Sequence, residues 1–187
     1  MRVAVCDYGA GNVRSVLSAL RRLGLDGVLT GDPDTVAAAD TAILPGVGSA
    51  RSAMVELRRT GVAEALRARR GPTIGICLGL QLALEHTDED GGVVGLGLLP
   101  GRAVRIAAGR VPRIGWAEVE QVAQSHKVPR STYWFAHSYA AETPAATARS
   151  EGVVAEARSG AFVGCQFHPE RSGSAGLRYL ERCLSLA

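Results

Sequence analysis

Gly75-Ile76-Cys77-Leu78-Gly79 decides the reading of this chain. Upstream, Pro72-Thr73-Ile74 opens a short β-branched run that reads as a buried strand. Downstream, Leu80-Gln81-Leu82-Ala83-Leu84-Glu85 reads as a helix. The cysteine between them stands on a sharp strand-to-helix elbow, held out of the sheet, and small residues on both sides let such a turn close. The elbow also sets the sulfur at a helix N-terminus, where the dipole and free N–H groups favour the thiolate. The bland alternative is a buried cysteine flanked by two structural glycines.

The segments around the elbow alternate. Residues 2–6 read as a strand, 12–23 as a helix with Val13, Val16, Leu17 and Leu20 on one face, and 27–29 as a second strand. A third strand, 41–44, ends in a glycine turn; a helix follows over 51–69, then the elbow strand at 73–76. This order predicts a central, mostly parallel sheet covered on both faces, an α/β fold. After Glu85 the texture changes. Residues 93–106, 117–119, 131–139 and 153–157 read as strands joined by Gly, Pro and Ser turns, an added antiparallel or mixed sheet. Residues 162–167 return to the main sheet and 175–186 close as a helix. There is no repeat or low-complexity segment, so residues 1–187 read as one domain.

Composition narrows the class. A chain of 187 residues with 47% hydrophobic residues suits a packed interior, and no apolar run approaches a membrane span. The net charge of +3 is small. Arg67-Ala68-Arg69-Arg70, the densest basic stretch, falls at a helix end and complements its dipole, which argues against a nucleic-acid patch. Cys6, Cys77, Cys165 and Cys183 are widely spaced, with no Cys-x-x-Cys pair. Three of them sit in apolar runs and read as small core residues in a reduced, cytoplasmic setting. Gly9-Ala10-Gly11 lacks the third glycine of a dinucleotide loop, where Arg14 stands, and there is no P-loop lysine.

A second segment supplies what a thiolate nucleophile needs. Gly164-Cys165-Gln166-Phe167-His168-Pro169-Glu170 sets an imidazole two positions from a carboxylate. If the segment is extended, His168 and Glu170 point the same way, the imidazole toward Cys77 and the carboxylate behind it. Pro45-Gly46-Val47-Gly48, at the end of the third strand, is a glycine-rich turn able to aim backbone N–H groups at a developing oxyanion.

Gly-Ile-Cys-Leu-Gly with a distant Phe-His-Pro-Glu resembles the class I (triad) glutamine amidotransferases. Asp7-Tyr8-Gly9-Ala10-Gly11-Asn12, Leu44-Pro45-Gly46-Val47-Gly48, Gly115-Trp116, Tyr133 to Tyr139 and Gln166 to Gly173 extend the likeness over nearly the whole chain. They are similar to the HisH family, the glutaminase subunits of imidazole glycerol phosphate synthase in histidine biosynthesis. The resemblance implies a flavodoxin-like fold and hydrolysis of glutamine through a cysteinyl thioester, without metal or organic cofactor. It implies Cys77 as nucleophile, His168 as base and Glu170 as the orienting carboxylate. The oxyanion hole would be the N–H groups of Leu78 and of Val47 or Gly48, with Gln81 and Gly46 contacting glutamine. The implied partner is the cyclase subunit HisF, a (β/α)8 barrel that receives the ammonia, docking on Asn12, Trp116, Trp134, His137 and Arg171. The chain departs from the family pattern at Ser49-Ala50, Ala117 and Arg171, none of which touches the triad. Two rival readings share the chemistry: an amidotransferase subunit feeding a different synthase, and a stand-alone γ-glutamyl hydrolase.

Overall fold

In a computed structural model, residues 1–107, 109–122 and 130–185 are described. The chain begins β1 (Val3–Cys6), α1 (Val13–Arg22), β2 (Gly27–Thr30), α2 (Pro33–Ala38), β3 (Thr41–Leu44), α3 (Ala50–Arg59), α4 (Val62–Ala68), β4 (Thr73–Ile76) and α5 (Leu78–Ala83). It continues β5 (His86–Thr87), β6 (Val93–Val94), β7 (Arg102–Arg105), β8 (Arg113–Gln121), β9 (Ser131–His137), β10 (Tyr139–Glu142), β11 (Ala146–Ser150), β12 (Val153–Ser159), β13 (Phe162–Cys165) and α6 (Gly173–Ser185).

The main sheet runs β2-β1-β3-β4-β13-β12-β11-β8-β9. Its first five strands are parallel. From β12 outward every pairing is antiparallel. The inner strands of this parallel half, β1, β3, β4 and β13, are buried throughout, their side chains alternating between the two covered faces, whereas β2 at the edge exposes Val28 and Leu29. Val3 and Val5 of β1 pack with Val16 and Leu20 of α1 and Leu180 of α6, while Ala4 and Cys6 pack with Met54 and Leu57 of α3 and Leu66 of α4. A smaller sheet, β10-β7-β5-β6, closes a third apolar cluster around Leu80, Leu84, Leu99 and Phe162.

Two expectations from the sequence change, two elements carry no clear signal in it, and the end of one helix falls outside the described residues. The helix expected over 51–69 is two helices, because Gly61 adopts φ +80° between them. The strand expected over 93–106 is interrupted between β6 and β7. A Cβ on Gly95 would lie 2.1 Å from the Leu84 carbonyl oxygen, and Gly101 has φ +104°, so this stretch turns where a strand would run straight. α2 and β11 carry no strong periodicity and went unread; α2 is set by the Asp32 cap, whose side chain accepts from Thr35 N–H, and by Pro33 at its start. The final helix is described as far as Ser185; Leu186 lies outside the described residues. Among the described residues no helix is long and apolar enough to cross a membrane.

Candidate active site

Three neighbouring parallel strands deliver the site from their C-terminal ends, where ligands of doubly wound sheets sit. β3 leads into Pro45–Gly48, β4 into Cys77, and β13 into His168.

Cys77 has φ +52° and ψ −106°, a left-handed conformation for a β-carbon residue that costs about 1–3 kcal/mol. The surroundings hold it there. Its N–H donates to the Cys165 carbonyl at 2.7 Å, and its carbonyl accepts from Leu80 and Gln81 as α5 begins. The two motif glycines are dictated by contact. A Cβ on Gly79 would lie 1.9 Å from the Leu44 carbonyl oxygen, and one on Gly75 would lie 2.6 Å from the Phe162 ring and 2.8 Å from the Gly79 carbonyl oxygen. α5 is six residues long, so the dipole at its N-terminus is small. The neighbours of the sulfur set the chemistry of the site.

His168 is the first of those neighbours. Its backbone N–H donates to the Trp134 carbonyl at 2.8 Å, and the Ser172 hydroxyl donates to its carbonyl at 2.7 Å, so β9 and the start of α6 fix the loop. Nδ1 lies 2.9 Å from Glu170 Oε1. A carboxylate only accepts, so Nδ1 carries hydrogen and Nε2 is left for the hydrogen bond with Cys77. Burial alone would lower the imidazole pKa; the Cys77 sulfur and the Glu170 carboxylate outweigh it and raise it to about 10. The geometry differs from the extended segment expected. Pro169–Arg171 forms a 3₁₀ turn, and that turn curls the carboxylate back under the ring.

The cleft beside the sulfur encloses about 240 Å³ and is lined by Val47, Gly48, Cys77, Leu78, Gln81, Glu89, Pro112, Ile114, Ala136, His137, Ser138 and Tyr139. Leu78 is the first residue of its helix, so its N–H has no acceptor in a preceding turn. Val47 and Gly48 face it across the cleft, with Gly48 at φ +100°. Gly46 is buried behind the wall, where a Cβ would lie 2.4 Å from Leu78 Cβ and 2.6 Å from Gly79 N, so it lets the turn press on the elbow. Gln81 lines the cleft, but its Nε2 is committed to the Tyr139 carbonyl at 2.8 Å and to Gln166 Oε1 at 3.1 Å.

Sequence reasoning missed Glu89. It stands in an Asp-Glu-Asp-Gly-Gly turn that reads as solvated, yet its carboxylate accepts from Ala50 N–H at 3.1 Å and burial raises its pKa. It is the acidic group of the cleft wall, suited to an ammonium. Ser138 and Tyr139 were visible only as members of a motif.

The expected docking residues divide. Register sets Trp116 of β8 opposite Trp134 of β9, and the rings meet edge to face with centroids 5.8 Å apart. Trp116 is 55% exposed and Ile114, two positions before it, 62% exposed. Exposure comes from the outward parity of a mid-strand residue. Arg171 lies with its guanidinium 5.1 Å from the Trp134 ring centroid. Asn12 is half-buried at the N-terminus of α1. His137 is corrected: it shares parity with Tyr133 and Phe135, faces inward, is buried, and lines the cleft. Its Nδ1 lies 2.8 Å from the Tyr139 carbonyl, and its Nε2 is buried without a partner.

A sheet of this order bearing a Cys-His-Glu chain at the ends of adjacent strands defines a thiol amide-transfer enzyme. The model of the class-I glutamine amidotransferases matches residues 4–186, and the chain belongs to that family. A solved glutamine amidotransferase superposes with a TM-score of 0.81 at 21% identity, covering 98% of each chain, a likeness of fold. Within the family, imidazole glycerol phosphate synthase subunit HisH of Methanothermobacter thermautotrophicus is 41% identical over 98% of both chains. The HisH of Xanthomonas euvesicatoria is 42% identical over 99% of this chain and 98% of its own. Identity at this level over full length sets the chain among the HisH glutaminases, and it is a glutamine amidotransferase.

Proposed function

We propose that Cys77, His168 and Glu170 hydrolyse glutamine, and that the ammonia passes to a HisF-type (β/α)8 cyclase in a cytoplasmic heterodimer that serves histidine biosynthesis. The observation that carries the reading is the buried chain from Glu170 through His168 to Cys77, opening on a cleft of amino-acid size. His168, its pKa raised by the neighbouring sulfur and the Glu170 carboxylate against the effect of burial, takes the proton of Cys77. The thiolate attacks the carboxamide carbon, and the N–H groups of Leu78 and of Val47 or Gly48 receive the charge on oxygen. The imidazolium gives its proton to the departing ammonia. Water, activated by the neutral imidazole, then cleaves the thioester and restores the thiolate. The Glu89 carboxylate receives the substrate ammonium, and the Gln81 carbonyl oxygen, whose amide nitrogen is already engaged, accepts from the substrate.

The test is Cys77→Ala in the complex. Glutamine-dependent synthesis falls by roughly 10⁴-fold or more, whereas synthesis driven by added ammonium salts persists. Residual glutaminase near the wild-type rate would remove Cys77 from the mechanism.

A further inference from the structure

We propose that Gln166 is a further catalytic residue, donating a hydrogen bond from its side-chain amide to the nucleophile sulfur. The inference rests on the reading of Cys77 given above. Gln166 is fully buried, and its Nε2 lies 3.6 Å from Cys77 Sγ, within range for a donor to sulfur. A side-chain amide can point either end at a neighbour, so its orientation needs a cause. The cause lies two steps away. The Tyr139 carbonyl only accepts, so Gln81 must present Nε2 to it, at 2.8 Å. The same nitrogen's second hydrogen then meets Gln166 Oε1, at 3.1 Å. With its oxygen taken, Gln166 presents Nε2 to the sulfur. Flipping either amide would set oxygen against oxygen or nitrogen against nitrogen, at side chains that are almost wholly buried. The backbone is fixed too, since Gln166 N–H donates to the Ala155 carbonyl at 2.9 Å.

The chemistry follows from what sulfur does in the cycle. It bears charge before it attacks and again when the thioester breaks; in the thioester it is neutral and a poor acceptor. As water adds and the C–S bond breaks, the bonding electron pair returns to sulfur while the proton taken from water stays on His168. A donor at Gln166 therefore stabilises the charged states more than the acyl-enzyme. It also offsets the Ala136 carbonyl, an acceptor 3.8 Å from the sulfur that disfavours negative charge there. Hydrogen bonds to charged groups are worth more than neutral ones, enough for about a tenfold effect or more.

The test uses the full chain, with iodoacetamide as the probe and mass spectrometry of the Cys77 peptide as the readout. In Gln166→Met, close in volume but without a donor, Cys77 alkylation at neutral pH slows about tenfold or more and its pH midpoint moves upward. In the complex, kcat for glutamine falls while KM changes little. Gln166→Glu keeps the shape and sets a carboxylate against the sulfur, so it slows alkylation further as that carboxylate ionises. If either variant keeps the wild-type melting temperature with wild-type alkylation rate, pH midpoint and kcat, the inference is overturned. If alkylating Cys77 in the wild-type protein leaves glutaminase intact, the nucleophile reading falls, and this inference with it. If alkylation abolishes glutaminase and both Gln166 variants alkylate normally, only this inference falls.

Discussion

The parallel and antiparallel halves of the main sheet each send one histidine to the neighbourhood of Cys77, and the two meet opposite fates. His168, from the loop after β13, is 3% exposed; His137, at the end of β9, is 5% exposed. Burial is the same and disfavours the cation in both. His168 has the Glu170 carboxylate on Nδ1 and the Cys77 sulfur beyond, and its pKa rises to about 10. His137 has only the Tyr139 carbonyl, with the positive charges of Arg113 and His168 nearby, and burial takes its pKa down to about 4. The two imidazoles are thus pushed in opposite directions, His168 toward the cation and His137 toward the neutral ring. What distinguishes a base from a wall residue here is the partner on Nδ1, not burial or residue type.

The halves also differ in what they leave unfinished. The parallel half supplies Cys77 and His168, the proposed nucleophile and base, and the Leu78 N–H. Its remaining candidate donors, at Val47 and Gly48, belong to a turn whose Val47 is 41% exposed. The free subunit is therefore expected to hydrolyse glutamine a hundredfold or more slowly than the complex, because one oxyanion donor is worth roughly 3 kcal/mol of transition-state stabilisation. Steady-state glutaminase assays with and without the cyclase decide it. Equal rates would break the division of labour and favour a stand-alone γ-glutamyl hydrolase.

The histidine contrast makes a prediction of opposite slopes in pH. The unfolded chain protonates His137 near its ordinary value of 6.5, but the folded chain resists until about 4. Stability from this residue is thus complete above pH 6.5 and is lost as pH falls toward 4, by as much as about 3 kcal/mol. His168 works the other way: its contribution is complete below 6.5 and is lost as pH rises through about 10. Denaturant melts of wild type and His137→Asn across this range isolate the first effect, with a shallower acid-side fall in the variant. Parallel curves would mean that His137 is not held neutral.

How far the sequence reveals these things depends on what each residue must do. That Cys77, His168 and Glu170 come together is legible, because thiol, imidazole and carboxylate are chemically distinctive and the elbow glycines announce a turn. Glu89 is hidden by its setting, a short acidic turn of a kind that usually faces water; only the bond from Ala50 N–H draws it into the wall. His137 was misplaced because Tyr133-Trp134-Phe135-Ala136 is apolar throughout, so the run does not declare which parity faces in. The structure settles it by packing Tyr133 on Phe167 with ring centroids 4.1 Å apart, which sends Trp134 to the other face. The packing role of Gly46 is not legible, because the reason for a glycine there, the approach of Leu78 and Gly79, joins two segments that are remote in sequence.

The smallest expected effect tests the outer face of the antiparallel half. Ile114 and Trp116 project from β8 beside the cleft mouth, where Ile114 and Val47 both line the wall. That continuity makes the strand face an extension of the site and a natural seat for the partner proposed to receive ammonia. An exposed tryptophan backed by a second ring is a typical interface anchor, and truncating it costs about 2 kcal/mol of binding, roughly thirtyfold in Kd. Trp116→Ala should weaken association with the cyclase by that amount. Its melting temperature as a free subunit should barely move, because the ring contributes little to the core. Trp134→Ala is the sharper control. Its ring lies half-buried between Trp116 and Arg171, so its removal should lower both stability and binding. If Trp116→Ala melts far lower and its folded fraction binds the cyclase normally, the outward face of β8 is structural and the partner docks elsewhere.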